Sequence, residues 1–194
     1  MRQATVARKT NETDIQLTLT LEGETSRIDT GCGFLDHMLE LFARHGGFGL
    51  ELSCKGDTRV DYHHTVEDIG IVLGEAFRQA LGDKRGINRY GSFLLPMDEA
   101  LVLVAVDLSG RTTCCCELQL PAPKVGDFDT ELGEEFFLGF CRGGEFTLHL
   151  RQLAGKNTHH ILEAAFKGFG RAMAIAVALD SRHPDTLPST KGVL

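Results

Sequence analysis

The feature that most restricts the fold is a histidine pair that occurs twice. His63-His64 and His159-His160 stand 96 positions apart, and each pair begins an HHxxE motif, closed by Glu67 in one copy and Glu163 in the other. Upstream, Leu50 and Leu52 sit 98 positions before Leu148 and Leu150, so the second copy lacks two residues between strand and motif. The same chemistry at the same structural address twice reads as an internal duplication. A chain built this way must close its fold from two copies of one supersecondary unit.

The hydrophobic periods define that unit. Ala4–Lys9 reads as a short strand, and in Asp14–Glu22 the residues Ile15, Leu17, Leu19 and Leu21 alternate with polar ones, as in a half-buried strand. After Gly31-Cys32-Gly33 the period changes: Phe34, Met38, Leu41, Phe42 and His45 share a helical face that Gly46-Gly47 ends. Phe48–Cys54 alternates again, Asp57–Tyr62 is a polar loop, and His63–Leu81 carries the apolar stripe of a long helix. In the second half, Ser92–Ser109 holds one or two strands and Thr112–Leu120 another. A loop with Pro121, Pro123 and Gly126 follows, then a helix at Thr130–Cys141, a strand at Glu145–Arg151 and a helix at His159–Leu179. Each half therefore reads strand, strand, helix, strand, helix, and the expected fold is an α+β two-layer sandwich with helix pairs packed on one face of a sheet. The expected organisation is a single domain of two repeats, about residues 1–90 and 91–182, with a tail at 183–194.

Residues i, i+3 and i+4 of a helix share a face, so Glu67 reaches the region of His63 and His64, and Glu163 that of His159 and His160. Two imidazoles and a carboxylate make a mixed nitrogen and oxygen site suited to Mn, Fe, Zn or Co. The order of residues is not the HExxH of zinc proteases. The 98-residue offset also carries His37 onto Glu135. Both can ligate a metal, although a carboxylate in the first turn of a helix is also favoured by the dipole alone. Arg89, Arg111, Lys167 and Lys191 form a scattered cationic set. Lys167, four residues beyond Glu163, continues the histidine-bearing stripe; each of the four also reads as a solvated charge.

Composition removes several classes of function. Hydrophobic residues at 42% and charged residues at 24% exclude a disordered or fibrous chain. Twenty-seven acidic against 20 basic side chains give −7, and no basic block offers a nucleic-acid or anionic-membrane surface. The longest apolar runs, Leu101–Val106 and Ala172–Leu179, fall far short of a membrane span of about 20 residues. The start, MRQATVARKT, lacks the apolar region of a secretory signal. Six cysteines without CxxC or framework spacing read as reduced thiols, and the expected location is cytoplasmic.

Taken together, GFLDHMLELFARHGG, DYHHTVEDIGIVLGEAF, DLSGR and GKNTHHILEAAFKGFGRAM closely resemble the imidazoleglycerol-phosphate dehydratases of histidine biosynthesis. The resemblance runs from RKTNET near residue 8 to the PSTKG tail, and its length is that of the form without a phosphatase domain. It implies a fold like domain 2 of ribosomal protein S5 and a carbon–oxygen lyase that converts D-erythro-imidazoleglycerol phosphate to imidazole acetol phosphate. It further implies two Mn²⁺ per active site and a 24-subunit homo-oligomer with sites shared between subunits, and no nucleic-acid or membrane partner. Carried over, the metal residues are His37, His63, His64, Glu67, His159, His160 and Glu163, with Glu135 standing where some members have a further histidine ligand. The phosphate is expected at His45, Arg89, Arg111, Lys167, Ser189 and Lys191. Glu12, Glu67 and Glu163 are the candidate proton-transfer groups, and Leu41 replaces a glutamine of some members. By composition alone, His183–Leu194 reads instead as a frayed terminus, because Pro184, Pro188 and Gly192 leave little regular structure.

The chemistry fits these residue types. The proton to be lost is not beside a carbonyl, so the family route passes through a di-manganese-bound imidazolate whose electrons expel the C3 hydroxyl as a diazafulvene forms. A carboxylate then removes the C2 proton. Two other readings stay open: a different di-metal hydrolase of a phosphorylated small molecule on the same scaffold, and a non-catalytic protein whose metals only join subunits.

Overall fold

The computed structural model describes residues 2–194. Its first half runs β1 (Gln3–Lys9), β2 (Thr13–Thr20), β3 (Ser26–Asp29), α1 (Gly33–Gly46), β4 (Gly49–Gly56) and α2 (His63–Leu81). The second runs β5 (Tyr90–Met97), β6 (Ala100–Asp107), β7 (Thr113–Glu117), a small ribbon of β8 (Lys124–Val125) and β9 (Phe128–Asp129), α3 (Leu132–Gly144), β10 (Thr147–Ala154) and α4 (Thr158–Val177). The two large sheets have the same topology, β1-β2-β4-β3 and β5-β6-β10-β7. In each, the last-named strand pairs parallel to its neighbour and the other pairings are antiparallel. The duplication is thus written into strand order as well as sequence.

Each half is a two-layer α+β unit with its own sheet. Alternation buries Val6, Ile15, Leu17, Leu19, Leu50 and Leu52 on the helix side of the first sheet, with Leu17 opposite both Val6 and Leu52. Leu95, Val102, Val104, Leu148 and Leu150 do the same in the second. The two units meet through their helices, α1 against α4 and α2 against α3, so four helices lie between the sheets. Two details depart from the sequence expectation. The first unit has a third strand before its first helix, β3, whose SRID is too short to show a period, whereas in the second the Ser92–Ser109 stretch resolves into the two strands β5 and β6. The Pro121–Gly126 loop contains half of the β8–β9 ribbon.

Glycines set the spacing between the halves. A Cβ on Gly70 would meet the Phe136 carbonyl oxygen at 2.5 Å, and one on Gly74 the Phe140 oxygen at 2.2 Å. From the other side, a Cβ on Gly139 would meet the Glu67 oxygen at 2.6 Å and one on Gly143 the Ile71 oxygen at 2.0 Å. Backbone therefore packs on backbone where α2 crosses α3, with both helices advancing in the same direction. Gly170 plays the part of Gly74 in the α1–α4 pair, facing the Phe42 carbonyl at 2.4 Å from its would-be Cβ. Phenylalanines fill the space around these contacts: the Phe42 ring of α1 lies 6.0, 5.8 and 5.2 Å from Phe77, Phe140 and Phe169 of the other three helices. One core cluster therefore spans both halves. At the end of α1, Gly47 takes φ +68 and its N–H returns to the Ala43 carbonyl, as a left-handed glycine cap should.

Overpacking such a contact costs about 1–3 kcal/mol. Gly143→Ala is expected to lower stability by at least that amount in urea unfolding. Gly33→Ala, where a Cβ meets nothing within 4 Å, is expected to leave the midpoint near its original value.

Candidate active site

The parallel pairing of α1 and α4 brings His37 beside His159 and Glu163. Each offers one ligand atom, and these atoms lie within 4.8 Å of one another, the one such trio among the described residues. Glu163 is buried; one of its oxygens is 3.6 Å from His159 Nε2 and the other 2.6 Å from Lys167 Nζ. Asn157 caps α4, its Oδ1 accepting from the His159 and His160 N–H groups at 2.9 and 3.3 Å, which fixes where the histidine pair begins. His45, two turns along α1 from His37, is held below the usual histidine range by burial and then by the charges of Lys167 and Arg171.

In the first half, Asp61 Oδ1 accepts the His63 N–H at 2.8 Å at the start of α2. Glu67 lies 3.8 Å from His63 Nε2 and 2.7 Å from Arg142 Nη1 of α3. Glu135 is on the same helix as Arg142 but completes no trio with His63 and Glu67.

The second histidine of each pair is held by a carboxylate. His64 Nδ1 is 2.9 Å from Asp57 Oδ2, and His160 Nδ1 is 2.7 Å from Glu99 Oε2. Those contacts raise both imidazoles above the ordinary histidine range. Glu99 is drawn down to about 2, first by His160 and then by the Asn157 and Lys156 N–H groups.

Glu12 reaches the same place from the β1–β2 turn, with Oε1 3.7 Å from His64 Nε2. That turn is well anchored. Thr10 Oγ1 accepts the Glu12 and Thr13 N–H groups at 3.1 and 3.0 Å, and the Asp57 N–H donates to the Glu12 carbonyl at 2.9 Å. Beneath it, buried Asp68 accepts from Thr13 Oγ1 at 2.5 Å and pairs with Arg8. Glu12 itself is half exposed and, among the described residues, has no Lys or Arg partner.

The remaining cations gather at the far end of α4. Arg89 donates from Nε and Nη2 to Asp107 at 2.7 and 3.2 Å and from Nη1 to the Pro188 carbonyl at 2.9 Å. The exposed Arg111 guanidinium is 3.8 Å from the same Asp107. The tail is tied down rather than frayed: the Gly86 N–H reaches the Thr186 carbonyl at 3.0 Å, and the Lys191 N–H reaches Ser189 Oγ at 3.2 Å. Composition underestimated this segment because its anchors lie about 100 residues upstream. The Arg89 N–H also donates to the Ala176 carbonyl, which locates the group along α4. Thirteen residues of helix from Glu163 to Ala176 are about 20 Å. Within one chain, therefore, His45 and Lys167 adjoin the histidine trio, whereas Arg89, Arg111, Ser189 and Lys191 do not.

Comparison with known proteins settles the family. The sequence profile described as imidazoleglycerol-phosphate dehydratase matches residues 30–173. The chain belongs to this family. Relatives of that name from Pelobacter propionicus and Desulforamulus reducens are 57% and 56% identical over 195 and 194 residues, covering all of this chain and 99% and 98% of theirs. The crystal structure of the Staphylococcus aureus imidazoleglycerol-phosphate dehydratase has TM-score 0.84 at 40% identity, covering 92% of this chain and 99% of the other. The structure of the Pyrococcus furiosus enzyme in complex with (S)-C348 has TM-score 0.86 at 41% identity, covering 97% and 100%. The chain is accordingly a lyase of histidine biosynthesis that dehydrates imidazoleglycerol phosphate.

Sequence reasoning missed Asp57, Glu99, Arg142 and Asp68. A signal for Glu99 existed: MDEA forms the β5–β6 turn, the counterpart of the β1–β2 turn that carries Glu12. The others depend on tertiary contacts with no local pattern.

If Arg89 anchors the tail, Arg89→Ala should speed limited tryptic cleavage at Arg182 and Lys191, with the far-ultraviolet circular dichroism unchanged. Equal cleavage rates would mean the backbone bonds at Gly86 suffice.

Proposed function

We propose that this lyase converts D-erythro-imidazoleglycerol phosphate to imidazole acetol phosphate with two Mn²⁺ ions per site, through a diazafulvene, at sites shared between subunits of a cytoplasmic 24-subunit homo-oligomer. The observation that carries the reading is a pair of HHxxE half-sites on equivalent helices, each with a turn carboxylate near the Nε2 of its second histidine, Glu12 at 3.7 Å from His64 and Asp98 at 3.6 Å from His160. Each repeat, about residues 1–90 and 91–182, contributes one HHxxE helix, His37 of the first repeat joins the glutamate and first histidine of the second, and the tail spans 183–194.

The donor set suits the metal: imidazole nitrogens and carboxylate oxygens, with no thiol in the cluster. His37, His159 and Glu163, which converge, would hold an ion together, and His63, His64, Glu67, Glu135 and His160 would supply the remaining ligands of the pair. When bound, Mn²⁺ supplies Lewis-acid stabilisation of an imidazolate and orients the ring. Glu12 is the proton-transfer group the geometry favours, because Glu67 is paired with Arg142 and Glu163 with Lys167. It lies close enough to His64 Nε2 to act at carbons beside the ring. As the C3 hydroxyl leaves it takes up a proton, the carboxylate removes the C2 proton, and the resulting enol ketonises to the product.

His45 and Lys167 stand ready for the phosphate next to the trio. Arg89, Arg111, Ser189 and Lys191 can join them only from another chain, given about 20 Å of α4 between the two groups. That supports subunit-shared sites. The Arg89 side chain spends its donors on Asp107 and Pro188, so its part is to place the tail, leaving Arg111, Ser189 and Lys191 to meet the phosphate.

The deciding experiment is an assay of purified protein with imidazoleglycerol phosphate and Mn²⁺, following ultraviolet absorbance of the enolised product. Turnover is expected with Mn²⁺, and chelation should abolish it and shrink the particle in light scattering. A hydrolase would release phosphate instead. Glu12→Gln should lower kcat by about 10²- to 10⁴-fold while bound manganese stays constant; unchanged kcat would remove Glu12 from the proton transfers. Lys191→Ala should lower kcat/KM by about 10- to 150-fold, the worth of one charge-assisted bond. Glu135→Ala should lower bound manganese, Glu135→His should largely keep it, and Glu134→Ala should be neutral.

A further inference from the structure

We infer that Asp57 and Glu99 are positioning residues that fix which nitrogen of His64 and His160 faces the metal. The inference rests on the proposed metal site and goes beyond it by assigning the imidazole tautomers. An ionised carboxylate only accepts hydrogen bonds, so a contact of 2.9 Å from Asp57 to His64 Nδ1, and of 2.7 Å from Glu99 to His160 Nδ1, puts the hydrogen on Nδ1 in both rings. The lone pair then lies on Nε2, and both rings are turned so that Nε2 points away from the holding carboxylate.

The two contacts are equivalent in chemistry and unrelated in sequence. Asp57 comes from the loop between β4 and α2, whereas Glu99 comes from the β5–β6 turn. That loop is where the second repeat is shorter by two residues, and an offset of 98 carries Asp57 onto Gly155, which has no side chain to offer. In the second half Glu99 supplies the acceptor from another element. The same contact supplied from two different elements is what a required ring orientation predicts and a chance surface pair does not.

Asp57 has no competing task. Its Oδ1 is buried without a hydrogen-bond partner, so the side chain serves His64 alone. Glu99 has two tasks, since its Oε1 also accepts the Lys156 and Asn157 N–H groups at 3.0 and 2.7 Å and so tethers the segment ahead of α4. A test must separate the tether from the orientation.

The test is a double-mutant cycle on Mn²⁺ affinity, read by electron paramagnetic resonance titration of the full chain. Glu99→Gln preserves size and one acceptor oxygen but cannot serve both the backbone N–H groups and the imidazole. It should weaken Mn²⁺ binding about 10- to 100-fold, the usual effect of losing such a partner. In a His160→Ala background, the same Glu99→Gln change should alter affinity by less than about twofold, because the ring it orients is gone. Asp57→Asn should behave likewise against His64→Ala, with circular dichroism confirming the fold of each variant. An equal loss from Glu99→Gln in both backgrounds would make Glu99 a loop tether and overturn its assignment, and the same outcome for Asp57→Asn would overturn the other. Normal Mn²⁺ binding by the single variants overturns the inference alone. No Mn²⁺ binding by the unaltered chain overturns the metal reading and this inference with it.

Discussion

Everything at the site depends on how closely α2 and α3 approach. With Gly70, Gly74, Gly139 and Gly143 at the crossing, the two helices touch backbone to backbone, and any side chain there would force the halves apart. The short spacing brings Arg142 of α3 to Glu67 of α2 at 2.7 Å. It also draws Phe42 of α1 into contact with aromatic rings from the other three helices, so the α1–α4 pair is held to the same frame. Because the paired helices run in the same direction, their N-terminal ends lie together. The β8–β9 ribbon spans that end: the Tyr62 hydroxyl donates to Asp127 at 2.9 Å, and Phe34 packs on both Phe128 and His159, at 5.0 and 5.3 Å between ring centroids. Both histidine pairs therefore sit at one end of the four-helix layer.

The duplication is legible in the sequence because it leaves marks in chemistry and in period at once. HHxxE at the head of two amphipathic helices, with the same alternating strand before each, corresponds to α2 after β4 and α4 after β10. The long helices were legible because a 19- or 20-residue amphipathic pattern is hard to mistake. What stayed hidden was short or non-local. β3 has four residues, the tail is fixed by Arg89 and Gly86 far upstream, and Asp57 and Glu99 acquire meaning only once folding brings them to His64 and His160. Sequence period reports which face of an element is buried; it says nothing of which polar groups meet across elements.

The halves are alike where they face the histidines and unlike beside them. Offset by 96, Lys167 falls on Ile71, and offset by 98, His45 falls on Gly143. The cation and the imidazole therefore flank only the His37–His159–Glu163 trio, while the corresponding positions in the other half supply an apolar side chain and a helix-crossing glycine. The first half instead pairs its HHxxE glutamate with a cation from the neighbouring helix, Arg142 at 2.7 Å from Glu67.

The same division accounts for the carboxylates. In the second half, the turn residue Glu99 is occupied by His160 and two backbone N–H groups, and its depressed pKa of about 2 makes it a poor proton acceptor. In the first half, Asp57 already holds the imidazole, so the turn residue Glu12 is released from that duty and stands near His64 Nε2 without a Lys or Arg partner among the described residues. The two-residue difference between the repeats thus has a chemical consequence. Where the loop is long enough to supply its own acceptor, the turn residue Glu12 has no imidazole Nδ1 to hold; where the loop is shorter, Glu99 holds the ring, and its turn neighbour Asp98 stands 3.6 Å from His160 Nε2 much as Glu12 stands 3.7 Å from His64 Nε2. The same turn, used twice, thus holds an imidazole in one half and leaves that task to the loop in the other.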